Sequence, residues 1–113
     1  MDQTAQRDLF PGALEMMILQ TLRRGARHGY ALAQDIKGAS DDLLQIEEGS
    51  LYPALQRMLK AGWVQAEWGV SARNRKVRVY KITPAGRKQL DRQISSFDRM
   101  LKGISRVMRL SPS

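Results

Sequence analysis

The sequence predicts a mostly α fold with a two-stranded β-wing: a winged helix-turn-helix continued by a long C-terminal helix. Three features predict it. Apolar residues keep helical spacing through three segments up to Gly62, and from Trp63 to Ile82 the pattern alternates in two strand-like runs around a basic stretch. Beyond Thr83-Pro84 an apolar stripe recurs at heptad spacing to Met108. A chain of 113 residues is long enough for one modest core and too short for a large catalytic cleft between domains. The expected division is a flexible segment at 1–9, the winged helix-turn-helix at 10–82, a dimerisation helix at 83–110 and a tail at 111–113.

The first helix is expected to span about 13 residues, starting at Pro11, whose fixed φ suits a first helical position. Leu14, Met17, Ile18 and Leu22 form its inner face, and Arg23-Arg24-Gly25 reads as its end. His28-Gly29-Tyr30 opens a second helix, with Leu32, Ala33 and Ile36 inward and Gly38 at its close. His28 suits either a DNA phosphate contact or a cap on the turn. In the connector at residues 39–48, Leu44 and Ile46 alternate with polar neighbours as in a very short strand. Its acids, Asp41, Asp42, Glu47 and Glu48, lack the spacing of a calcium loop and suit the approach to a helix N-terminus.

The third helix has two unlike faces. Ser50 is expected as its N-cap, which would put Pro53 at the third helical position, where no intrahelical hydrogen bond is given up. Gly62 stops it. Leu51, Leu55, Met58 and Leu59 form one stripe that requires burial. Tyr52, Pro53, Gln56, Arg57 and Lys60 fall elsewhere on the cylinder, where Arg and Gln suit bidentate contacts to base edges and Lys suits phosphate. An ordinary amphipathic helix with a solvated face has the same pattern. The basic hairpin after Gly62 separates the two readings.

Trp63–Trp68 and Val77–Ile82 form that hairpin, and its flexible tip is expected over residues 69–76. Five of the nine residues from Arg73 to Lys81 are basic and none is acidic, a density of one sign greater than a surface loop usually carries for solubility, so Arg73, Arg75 and Lys76 are expected as phosphate contacts of a wing. Trp63 and Trp68 suit core packing, as strand tryptophans commonly do, or stacking on bases. Thr83 is the N-cap and Pro84 the first residue of the last helix. Its stripe, Leu90, Ile94, Phe97, Leu101, Ile104 and Met108, runs along about 37 Å of helix, more than a domain of this size covers, and implies a homodimer.

Charge supports this arrangement. The formal net charge is +8, but residues 1–72 carry seven Lys and Arg against nine Asp and Glu, and residues 73–113 carry twelve against two. A field so placed attracts phosphate polymers. The absence of cysteine fits a reducing interior, and no apolar run spans a bilayer, so a cytoplasmic location is expected, without membrane binding. A single histidine and no paired carboxylates leave no catalytic residue set, metal site or cofactor to propose.

Several blocks carry a resemblance: His28-Gly29-Tyr30, Gly49-Ser50-Leu51-Tyr52-Pro53-Ala54-Leu55 with Arg57 and Leu59, Gly62-Trp63, Glu67-Trp68-Gly69, and Tyr80-Lys81-Ile82-Thr83-Pro84-Ala85-Gly86. Together they resemble the PadR family of bacterial transcriptional regulators, and specifically its smaller subfamily with one C-terminal helix. The resemblance implies a homodimeric repressor of double-stranded DNA, often governing detoxification or efflux genes and released by a small-molecule effector. It implies that Ser50, Tyr52, Pro53, Gln56 and Arg57 are recognition-helix contacts, Tyr30 a contact from the preceding helix, and residues 73–76 the wing. A protein holding RNA or DNA by charge alone is the other reading, and it predicts no preference for an inverted repeat.

Overall fold

The structure, a computed structural model, describes residues 12–109. Helix α1 (Ala13–Arg23) leads through strand β1 (Arg27–His28) into α2 (Gly29–Ala39), and a connector leads to α3 (Glu48–Ala61). Strands β2 (Val64–Val70) and β3 (Lys76–Ile82) form the hairpin, and α4 (Pro84–Met108) closes the chain. The antiparallel sheet has the order β1-β3-β2, so the expected two-stranded wing gains a third, short strand at its base. Arg27 pairs with Tyr80 and His28 with Val79.

The core lies where the helices meet the base of the sheet. Ile18, Leu19 and Leu22 of α1, Leu32 and Ile36 of α2, and Leu51, Ala54, Leu55 and Met58 of α3 are buried together with Val64, Tyr80 and Leu90. Fully burying each large aliphatic side chain contributes about 1.5–3 kcal/mol, so this set is what holds the three helices and the wing base in register. Arg27 ties the end of α1 to α2, pairing with Asp35 and donating to the Thr21 carbonyl at 3.0 Å.

Several expectations are corrected. Ser50 is not the N-cap of α3: Glu47 is, and the amides of Ser50 and Leu51 both donate to its carbonyl, at 3.0 and 2.9 Å. The earlier start puts Pro53 inside the helix, where it withholds the amide that the Gly49 carbonyl would receive. Gly49 is exposed, so losing that bond leaves no carbonyl sealed in the core. Leu44 and Ile46 form no strand; the third strand of the sheet is β1, paired with β3. Asp41 and Asp42 adopt left-handed conformations with φ of 54° and 66°, closing α2 in the way short polar side chains allow. The first helix begins at Ala13, after Gly12 as N-cap; Pro11 and residues 1–9 lie outside the described residues, as does the tail at 111–113.

Helix α4 starts from a tight junction. Thr83 caps it by accepting from the Gly86 amide at 3.0 Å, and its hydroxyl donates to the Gly62 carbonyl at 2.6 Å. The Thr83 amide donates to the Trp63 carbonyl at 3.0 Å. A Cβ on Gly86 would stand 2.1 Å from that carbonyl oxygen, so only glycine lets α4 come this close. Beyond Leu90 the helix packs on α1 and then leaves the domain, in a molecule of 52 × 34 × 24 Å. Ile94, Leu101, Ile104, Val107 and Met108 are all exposed. No helix among the described residues is long and apolar enough to cross a membrane.

Candidate nucleic-acid interface

Helix α3 presents its outer ridge by simple rotation. At about 100° per residue, the buried Leu51, Ala54, Leu55 and Met58 take one side and Gly49, Pro53, Gln56 and Lys60 the opposite one, all four exposed. Tyr52 lies on one flank, Ser50 and Arg57 on the other.

On the first flank Tyr52 leans over the start of α2. A Cβ on Gly29 would stand 2.8 Å from the Tyr52 ring and hydroxyl, so the close approach depends on glycine. Burial raises the Tyr52 hydroxyl above its usual ionisation range, helped by the Glu48 carboxylate and by Tyr80. The phenol therefore keeps its proton at neutral pH and remains a donor. His28 occupies the N-cap position of α2, but its ring makes no capping bond; it stacks on Tyr30 at a centroid distance of 6.4 Å and 10° between planes. His28, Tyr30 and Tyr52 line a cleft of about 190 Å³ together with Arg78 and Tyr80 of β3. Three residues expected from sequence thus meet the base of the wing at one place.

On the other flank Arg57 is occupied. Its Nη2 and Nε donate to the same Glu15 carboxylate oxygen at 2.8 and 3.3 Å, tying α3 to the first turn of α1. Glu15 is largely covered, whereas Arg57 stays mostly exposed.

The wing tip is a closed turn, shorter and firmer than the flexible loop expected over residues 69–76. The strands run on to Val70 and begin again at Lys76. Within the turn the Ser71 hydroxyl accepts from the amides of Arg73 and Arg75, and the Ser71 amide donates to the Arg75 carbonyl at 2.8 Å. Asn74 takes the left-handed conformation that the turn requires, with φ of 62°. Arg73, Arg75 and Lys76 are exposed, and none pairs with a carboxylate among the described residues. Trp63 is half-buried against the core, but Trp68, expected to favour packing, is 62% exposed on the wing. It stands too far out along β2 for the helices to cover it.

Residues 18–92 match the transcriptional regulator PadR-like family. The chain belongs to that family. A solved transcriptional regulator from Clostridium thermocellum is 28% identical with a TM-score of 0.78, over 85% of this chain and 93% of that one. A PadR-like transcriptional regulator from Bacillus cereus is 26% identical with a TM-score of 0.74, over 89% and 96%. Bacillus subtilis PadR, solved in complex with operator DNA, shares the fold at 21% identity and a TM-score of 0.65, over 73% of this chain and 46% of that one. The function is therefore transcriptional regulation through a DNA-binding winged helix, and not catalysis.

Within this PadR-like chain, sequence reasoning did not find Glu15 as the partner of Arg57, or Arg78 as part of the cleft. The charge of Arg78 was legible, but its place depended on strand register, which sets Trp68 opposite Arg78 and Ala66 opposite Tyr80. The Glu15 to Arg57 pair joins residues 42 positions apart and left no local signal.

Proposed function

We propose that this PadR-like chain is a homodimeric repressor that occludes a promoter by binding an inverted repeat of double-stranded DNA in the cytoplasm. In this reading the ridge of α3 enters the major groove, with Gln56 and, once released from Glu15, Arg57 at base edges and Lys60 at phosphate. Ser50, Tyr52 and Pro53 shape its entry. His28 and Tyr30 reach the backbone beside α2, and Arg73, Arg75 and Lys76 follow the backbone along the wing.

The observation that carries this reading is convergence. Tyr52 on the flank of the α3 ridge, the start of α2 and β3 of the cation-bearing wing meet around one cleft, while Ile94, Leu101, Ile104 and Met108 of α4 are left exposed. Leu90 is buried within its own domain, so Ile94, Phe97, Leu101, Ile104 and Met108 form the dimer seam and Leu90 anchors its base. That Bacillus subtilis PadR has been solved with operator DNA supports the partner. A small-molecule effector at the seam would release the repressor by favouring a dimer with the wrong separation of α3 helices, by no more than its differential affinity for the two states. The groove of about 230 Å³ between α1 and α4, lined by Met16, Phe97 and Met100, adjoins that seam.

Selection of bound duplexes from a random pool at about 150 mM salt, where exposed charges are well screened, tests the reading. Enrichment of an inverted repeat with half-sites about 10 base pairs apart, or a multiple, is the expected result. Recovery of unselected sequence would leave a fold that holds nucleic acid by charge alone.

A further inference from the structure

Trp68 has a role that its exposure and neighbours define. Strand faces alternate, so the register that sends Val64, Ala66, Tyr80 and Ile82 toward the core puts Trp68, Val70, Lys76 and Arg78 farther out on the same face. Arg78 lines the cleft that holds Tyr52 of α3, so this face of the wing adjoins the surface that carries the ridge. Lys76 Nζ lies 5.2 Å from the centroid of the Trp68 ring and Arg78 Cζ 5.6 Å from it; Arg78 is also 6.0 Å from the Tyr80 ring. Cations are drawn to an aromatic face by its quadrupole, which fixes where these two long side chains rest. No carboxylate among the described residues neutralises either one. Two like charges held at one indole make an anion acceptor. Arg78 stands at the rim of the cleft, while Trp68 and Lys76 lie beyond it on the open face of the wing, so the row does not enclose a small ligand, whereas a polymer with regularly spaced phosphates can lie along it.

We propose that Lys76, Trp68 and Arg78 form a clamp for the backbone of duplex DNA, with the indole resting on a deoxyribose and each cation meeting a neighbouring phosphate. The inference rests on the DNA-binding reading above and adds Trp68 and Arg78 to the contacts. Trp68 acts partly as a positioning residue: it holds the two cations on the inner face of the wing.

Binding of a random-sequence duplex by the full chain, followed over a series of salt concentrations, tests this. Arg78→Gln should lower the slope of log affinity against log salt by about 0.9, the value for one phosphate, and Arg78→Lys should keep it. Trp68→Leu should weaken binding about two- to fivefold at fixed salt, and Trp68→Phe should recover most of the loss. Duplex should also change the tryptophan emission of the wild-type chain, and that change should vanish in Trp68→Phe. An unchanged slope in Arg78→Gln, or an emission change that survives in Trp68→Phe, overturns the clamp while leaving DNA binding in place. Failure of the wild-type chain to bind any duplex overturns both.

Discussion

Replacing Glu15 with Gln asks whether Arg57 is a reader of DNA or a tie between helices. In the free protein the Arg57 guanidinium donates twice to Glu15, and the pair is 61% exposed on the arginine side and 16% on the glutamate side. Such a pair contributes about 0.2–1 kcal/mol, while a bidentate arginine contact to a guanine is worth about 1–3 kcal/mol. The DNA contact therefore wins, but part of its energy goes to opening the pair. Glu15→Gln removes that cost, and specific affinity should rise about 1.4- to 5-fold, the equivalent of the pair. Stability should fall by about 1 kcal/mol, since the carboxylate also sits favourably in the first turn of α1, which lowers Tm by about 4–8 °C in a domain of this size. Fluorescence anisotropy on the selected duplex and thermal melting read the two effects separately. If Glu15→Gln leaves affinity unchanged, and Arg57→Ala costs only stability, Arg57 is a tie between α1 and α3 and reads no base.

Three further outcomes are expected. Gly86→Ala sets a methyl group against the Trp63 carbonyl, displacing the start of α4 and straining the Thr83 cap; a loss of about 2–4 kcal/mol should appear as a lower urea midpoint at unchanged slope. Tyr52 holds its proton more tightly folded than unfolded, so its contribution is complete below pH 10.0 and is lost as pH rises through the higher folded value. Urea midpoints measured between about pH 9 and 11 should therefore decline less steeply in Tyr52→Phe than in the wild type. Leu101→Glu, which charges an exposed position of the α4 stripe, should give a folded monomer by sedimentation and weaken operator binding about 100-fold or more, because joined half-site contacts gain that much from being linked.

Elements whose signals are local were legible in the chain. Thr83-Pro84 opens α4 and Gly62, with φ of 81°, ends α3, because cap chemistry is confined to a few neighbouring residues. The stripe of Leu51, Leu55 and Met58 was legible for the same reason: helical period alone decides which side faces the core. The start of α3 was misplaced because Ser50 is the better capping residue by type, yet the backbone bends one turn earlier, at Glu47, where two amides converge on one carbonyl. The strand at Arg27–His28 was missed because two residues carry no period; it exists only because β3 offers an edge. At the interface, charge and helical phase placed Gln56, Lys60 and the wing cations on the surface. The hold of Glu15 on Arg57 and the placing of Trp68 between two cations arise from tertiary packing and register, which no spacing in the sequence encodes.

The junction at Thr83 has a consequence for how operators and regulators change together. The end of α3, the root of the wing and the first turn of α4 are bonded through Gly62, Trp63, Thr83 and Gly86, with no slack residue between them. In the proposed dimer, the distance between the two reading heads is then written in α4 and not in the reading heads themselves. One residue inserted ahead of the exposed stripe would turn the seam by about 100° and advance it by about 1.5 Å, presenting the partner at a new angle while each half-site stays legible. In that dimer half-site sequence and half-site spacing become separately heritable, the first carried by α3 and the second by α4.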